Sequence, residues 1–261
     1  MPDILHPYQL MHKALDELLP EIEGAKIKPL PLAPPLKDTL DEIGPLPREA
    51  LFLGLAADGL PVLLDLHDPV PGALLITGDP GTGKTAMLQM IAQAGMRMHS
   101  ERLLQFAIIS NYPDEWETFA GRAHSMGIFP TYHDDAMEFL RSLSGWAHDN
   151  KREQKSVLLL IDDLESMEHL DFEYRQILRW LLFRGPARRV WPIITFNAER
   201  YNLLESWLEL FRTRIFGRIG NDQIATTLSG IPGTSFSWLH QGLQFTIREN
   251  GQWLKFWIPE I

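Results

Sequence analysis

Gly78-Asp-Pro-Gly-Thr-Gly-Lys-Thr85 decides the fold of this chain. It satisfies the phosphate-binding pattern G-x-x-x-x-G-K-[ST] at every fixed position. Ala73-Leu-Leu-Ile76 before it has strand character, and residues 86–98 after it carry Met87, Ile91, Ala94 and Met98 at helical spacing. Strand, glycine-rich turn and helix, in that order, form a phosphate cradle. The turn presents backbone N–H groups, and the helix N-terminus adds partial positive charge. Gly78, Asp79, Pro80, Gly81, Thr82, Gly83, Lys84, Thr85 and Ala86 are the expected nucleotide contacts. Lys84 is expected to reach the β- and γ-phosphates, and the Thr85 hydroxyl to ligate Mg²⁺.

Downstream, Val157-Leu-Leu-Leu-Ile161 runs into Asp162-Asp163. A continuous apolar run implies a central parallel strand buried on both faces. With a phosphate loop upstream it reads as the acidic Walker B strand, and Asp162 is then the second Mg²⁺ residue beside Thr85. Asp163 is the positional candidate for orienting or deprotonating water, and Glu165 is its alternative if the chain curls back. A further strand over 190–196, after the helix 173–183, marks the additional-strand class of ATPases. There a polar residue ending the intervening strand senses the γ-phosphate, and Asn197 or Thr195 fits; an Asn capping the next helix is the competing reading. For transition-state charge Arg214 is the first candidate and Arg212 the second.

The rest of the chain frames this core. Residues 6–22 have helical periodicity, and residues 26–36 carry four prolines, so 1–47 reads as an N-terminal helix and proline-rich strap ahead of a domain spanning 48–261. Residues 50–56 and 61–66 read as a hairpin around Asp58-Gly59. A strand over 106–109 leads to a polar loop at 111–115. Helices follow at 136–147 and 199–211, and a strand at 213–219. Residues 243–248 and 252–258 read as a C-terminal hairpin around Asn250-Gly251. The fold class is α/β: a P-loop NTPase with a RecA-like additional-strand core, a mainly parallel sheet between helices, and a C-terminal β-hairpin.

Composition narrows the function. With no cysteine there is no disulfide framework and no thiolate metal site. No apolar run approaches the roughly 20 residues that span a bilayer, and no signal peptide opens the chain, so the expectation is a cytoplasmic protein without membrane insertion. The net charge of −10 is not that of a strongly basic nucleic-acid binder, although Arg184, Arg188 and Arg189 cluster, as do Arg212, Arg214 and Arg218. His133-Asp134-Asp135 reads as a polar loop, and Trp238, Trp253 and Trp257 as hairpin packing.

The ordered series resembles the FtsK/SpoIIIE/HerA branch of P-loop ATPases. Leu53-Gly-Leu-Ala-Ala-Asp-Gly-Leu-Pro-Val-Leu-Leu-Asp-Leu66 looks like that branch's entry into the domain, followed at the right distance by the phosphate loop. The helix 136–147 and Thr213-Arg-Ile215 look like further landmarks. Leu32 to Leu40 and the Asp162-Asp163 pair are similar to ATPase modules of type VII secretion motors. The resemblance implies a core that couples ATP turnover to moving DNA or a polypeptide, commonly as a hexamer, so self-association in a ring or dimer is expected. DNA motors of this branch carry Glu where Asp163 stands. The alternative is a nucleotide-binding interaction module with little intrinsic hydrolysis. The loop sequence is also typical of AAA+ proteins. A β-rich tail without an arginine-bearing helical lid after residue 220 favours the FtsK/HerA side.

Overall fold

The computed structural model describes residues 34–150, 155–204 and 206–261, apart from the side chains of Glu168 and His169. The helix expected at 6–22, the proline-rich stretch through residue 33 and the loop 151–154 lie outside them. Ten strands form one sheet: β1 (Ala50–Ala56), β2 (Pro61–Asp65), β3 (Ala73–Gly78), β4 (Leu104–Ser110), β5 (Ser125–Pro130), β6 (Ser156–Asp162), β7 (Val190–Asn197), β8 (Phe211–Phe216), β9 (Gln244–Glu249) and β10 (Gln252–Trp257). Their spatial order is β2-β1-β10-β9-β8-β3-β7-β6-β4-β5. From β8 to β5 every pairing is parallel. The phosphate-loop strand β3 lies between β8 and β7, so β7 separates it from the acidic strand β6. That intervening strand is the additional strand expected from the sequence.

The parallel strands read as unbroken apolar runs because both faces are covered. Leu74 and Ile76 of β3 belong to one core cluster, with α2 (Lys84–Met98), while Ala73 and Leu75 belong to the other, with α3 (Asp134–Asp149) and α4 (Phe172–Arg184). β6 divides the same way, Leu158 and Leu160 against Val157, Leu159 and Ile161. Strand polarity brings the carboxyl ends of β3, β6 and β7 to one edge of the sheet, where α/β proteins bind ligands.

The C-terminal hairpin is built into the sheet rather than appended to it. β9 pairs antiparallel with β8, and β10 with β1, so the last strand joins the β1–β2 hairpin to the core. A Cβ on Gly54 would meet Phe256 Cδ2 and the Trp257 carbonyl, each at 2.5 Å, so only glycine lets β1 approach β10. Trp253 packs edge-on against Phe216 and Phe236, the packing role expected of it.

Five segments differ from the sequence reading. Residues 36–43 form a helix, α1 (Leu36–Ile43), with Leu36 buried in the main core, and Pro35 pairs with Glu260; the strap region therefore packs onto the domain before residue 48. The helix expected at 199–211 is reduced to a 3-10 turn (Ala198–Arg200), the single turn α5 (Tyr201–Leu204) and a second 3-10 turn (Leu208–Leu210). Phe211 is already paired with Ala73 as the first residue of β8, and that register leaves no room for a helix through 211. The same pairing moves the strand expected at 213–219 to Phe211–Phe216. Strand β5 went unread because it is a half-exposed edge strand containing Gly127 and Pro130, without clean alternation. Helix α6 (Asp222–Ser229) follows residue 220; Asn221 Oδ1 caps it by accepting from Gln223 N and Ile224 N at 2.9 and 3.4 Å.

Candidate nucleotide site

The loop between β3 and α2 is drawn tight by its own threonine. Thr82 Oγ1 donates to the Asp79 carbonyl at 2.8 Å. Gly83 caps α2 in the left-handed region at φ 83°. Residues after β8 and before β9 support the loop from outside. Asp79 N donates to the Arg218 carbonyl at 2.9 Å, and Asp79 Oδ2 accepts from Gly220 N at 2.7 Å. Gln241 Nε2 donates to the Pro80 carbonyl at 3.3 Å, and a Cβ on Gly83 would lie 2.6 Å from the Gly242 carbonyl oxygen. The conformation of the phosphate loop thus depends on C-terminal residues that no local motif contains.

Lys84 turns back onto this loop, donating to the Gly78 and Asp79 carbonyls at 3.0 and 2.9 Å. Burial pushes its ammonium below the usual lysine range, against the charges of Asp163, Asp162, Asp79 and Glu199. Thr85 Oγ1 lies 3.1 and 3.0 Å from the two Asp162 carboxylate oxygens. Thr195 Oγ1 donates to Asp162 Oδ1 at 2.8 Å and accepts from Asp163 N at 2.7 Å. One hydroxyl of β7 therefore fastens both members of the acidic pair. Burial raises the Asp162 pKa despite donors from Thr195 and Thr85 and the Lys84 charge. Asp163 is raised by burial and by the adjacent Asp162. Its backbone sits at φ 84°, unusual for a non-glycine residue.

The residues present fit Mg²⁺. No group of three metal-ligating His, Cys, Asp or Glu occurs among the described residues. Mg²⁺ does not need one, since it is held by one or two protein oxygens plus phosphates and water. The Thr85–Asp162 pair supplies hard oxygens, and the buried Asp162 carboxylate favours a cation.

The other candidates are placed differently. Asn197 Oδ1 accepts from Glu199 N at 3.1 Å, so its side chain caps the turn beyond β7, and Thr195 is the β7 residue that touches Asp162. Arg214 does not serve as a free arginine. Its guanidinium donates to the carbonyls of Phe211, Leu228 and Leu208 at 3.3, 2.9 and 2.9 Å, and burial lowers its pKa. β8 pairs in parallel with β3 from Ala73 onward, which sets Arg212 near the end of the sheet opposite the phosphate loop. The arginine clusters are likewise dispersed: Arg188, Arg189 and Arg218 donate to the carbonyls of Asn150, Leu66 and Ser237. Residues the sequence reading passed over flank the site. Glu199 contributes to the field at Lys84, and Arg200 to that at Asp163. Their signal was position alone, just beyond the end of β7.

Comparison with known proteins agrees with this fold. Residues 74–182 match the ATPase family associated with various cellular activities (AAA). No curated protein matches the chain by sequence. Among solved structures, ATPases 2 and 3 of EssC from Geobacillus thermodenitrificans are similar at TM-score 0.71 and 14% identity, over 90% of this chain and 48% of that one. The cytoplasmic domain of the type VII secretion ATPase EccC of Thermomonospora curvata gives 0.68 and 16%, over 88% of this chain and 28% of that one. VirB4 of Thermoanaerobacter pseudethanolicus gives 0.56 and 10%, over 82% and 97%. The chain therefore spans about half or less of the EssC and EccC chains, and at these identities the likeness is one of fold. Among the described residues no helix is long and apolar enough to cross a membrane.

Proposed function

We propose that the chain, whose P-loop ATPase fold is shared with a type VII secretion ATPase, binds ATP with Mg²⁺ and hydrolyses it as a cytoplasmic FtsK/HerA-like motor or assembly subunit. The observation that carries this reading is the Thr85–Asp162 pair, 3.0 to 3.1 Å apart between the start of α2 and the end of β6, beside a Lys84 that donates to the Gly78 and Asp79 carbonyls. Lys84 exchanges Gly78 and Asp79 for the β- and γ-phosphates. Thr85 and Asp162 would hold Mg²⁺, which would supply neutralisation of phosphate charge when bound. Thr195 fixes Asp162. Asp163 accepts the proton of a water that attacks the γ-phosphorus, while the bond to the β-bridging oxygen breaks to leave ADP and phosphate. Arg214 being committed to carbonyls of its own fold, Arg200 or an arginine of a second copy in a ring or dimer supplies the transition-state charge.

A polypeptide suits the acidic chain better than DNA, because three clustered arginines are engaged with carbonyls of their own fold. One observation favours a second reading, a nucleotide-gated module. Asp163 is one methylene shorter than the Glu of DNA motors and leaves β6 at φ 84°, both unfavourable for reaching an attacking water. ATP binding measured by calorimetry with and without Mg²⁺ tests the common ground. Binding is expected to depend on Mg²⁺ and to be lost in Lys84→Ala; Mg²⁺-independent binding that survives in Lys84→Ala would remove both readings.

A further inference from the structure

We propose that Glu165 is a positioning residue for hydrolysis: its carboxylate ties the acidic turn after β6 to the end of β7 and so aims Asp163. This rests on the ATPase reading above. Glu165 lies in the 3-10 turn Leu164–His169, and the chain does curl back, since Oε1 accepts from Asn197 N at 3.0 Å. Glu165 is 7% exposed, and its Oε2 is buried without a hydrogen-bond partner among the described residues.

Stability does not explain this carboxylate. The turn is already anchored by the buried apolar side chains of Leu164, Met167 and Leu170. Burying an acid with one unpaired oxygen is unfavourable, and an apolar residue would avoid the penalty. Geometry explains it better. Asp163 leaves β6 in the left-handed region, a conformation that persists only where its surroundings hold it. Within the turn, Ser166 holds the Asp163 carbonyl through N and Oγ at 3.1 and 2.6 Å. The turn reaches β7 at two points, Asp163 N to Thr195 Oγ1 and Glu165 Oε1 to Asn197 N. The second contact uses a side chain of the turn itself. It also lands on the residue whose side chain caps the Ala198–Arg200 turn. Glu165 thereby registers the acidic turn against the end of β7.

The full chain, as wild type, Glu165→Ala and Glu165→Gln, separates the outcomes. Glu165→Ala is expected to lower kcat by about 10- to 100-fold, the scale of a small misplacement, with KM for ATP within about twofold. Glu165→Gln keeps an acceptor for Asn197 N–H and is expected to stay within about threefold of wild type, as one hydrogen bond retained implies. Amide exchange at Asp163 and Asn197 should accelerate in Glu165→Ala and not in Glu165→Gln. A wild-type kcat in Glu165→Ala overturns the proposal. Equal loss in both variants also overturns it, because the carboxylate would then act directly on the reaction. If Glu165→Ala does not fold, Glu165→Met replaces it, and failure of both to fold overturns the proposal in favour of a structural role. If the wild type shows no turnover, the ATPase reading fails by itself, and unchanged Asn197 exchange in Glu165→Ala still overturns the tether.

Discussion

Thr195 Oγ1 lies 2.8 Å from Asp162 Oδ1, a buried hydrogen bond that joins the intervening strand to the acidic strand. Thr195→Val keeps the shape and removes this donor together with the acceptor for Asp163 N. We expect a stability loss of about 1–3 kcal/mol, the scale for a buried group left unpaired. A fall in kcat of order 10-fold or more should accompany it. Thr195→Ser should recover most of both, and thermal unfolding alongside steady-state turnover reads the pair.

Asp163→Asn should abolish turnover yet stabilise the nucleotide-free protein by about 0.5–2 kcal/mol, the usual scale for relieving functional strain. Asn tolerates positive φ and removes the repulsion with Asp162. The sign follows from a folded pKa raised above the unfolded value. The wild-type contribution from Asp163 is most favourable below the unfolded carboxylate range and is lost as pH rises through the raised folded value. The advantage of Asp163→Asn should therefore grow with pH and level off above that point. Thermal denaturation of both proteins at a series of pH values from the ordinary carboxylate range upward reads this directly.

Gly83→Ala tests the dependence of the phosphate loop on the C-terminal segment. Its Cβ would lie 2.6 Å from the Gly242 carbonyl oxygen at a backbone φ of 83°. ATP affinity should fall by about 10-fold or more as the loop shifts, with a stability loss of about 1–3 kcal/mol. Calorimetric titration and unfolding check the two together.

Arg214→Ala should act on stability rather than on chemistry. Three carbonyls lose a charged donor, and a loss of about 2–3 kcal/mol is the expected scale. Turnover per folded molecule should stay within a factor of about three. A selective collapse of kcat in a fully folded Arg214→Ala would return this residue to the site.

How far the sequence was legible follows from where each signal lives. The phosphate loop, its flanking strand and helix, the acidic strand and the hairpins declare themselves in contiguous residues, by glycine placement, periodicity and Asx-Gly turns. Thr195 against Asn197 was not resolvable locally, because the choice depends on the β6–β7 register, in which Ile161 pairs with Ile194 and so sets Thr195 level with Asp162. Arg214 looked free because two of its acceptors, Leu208 in a 3-10 turn and Leu228 in α6, come from separate elements. Glu165 reaching Asn197, and Gly242 pressing on Gly83, are likewise long-range packing. Residues 199–211 carry a helical pattern that the β8–β3 register overrides.

The measurement that tests the central claim most directly is phosphate release from ATP by the purified full chain with Mg²⁺, beside Lys84→Ala. Turnover that requires Mg²⁺ and disappears in Lys84→Ala is the predicted result. Equal turnover in the two proteins, or ATP bound tightly by the wild type with no phosphate released, would contradict it.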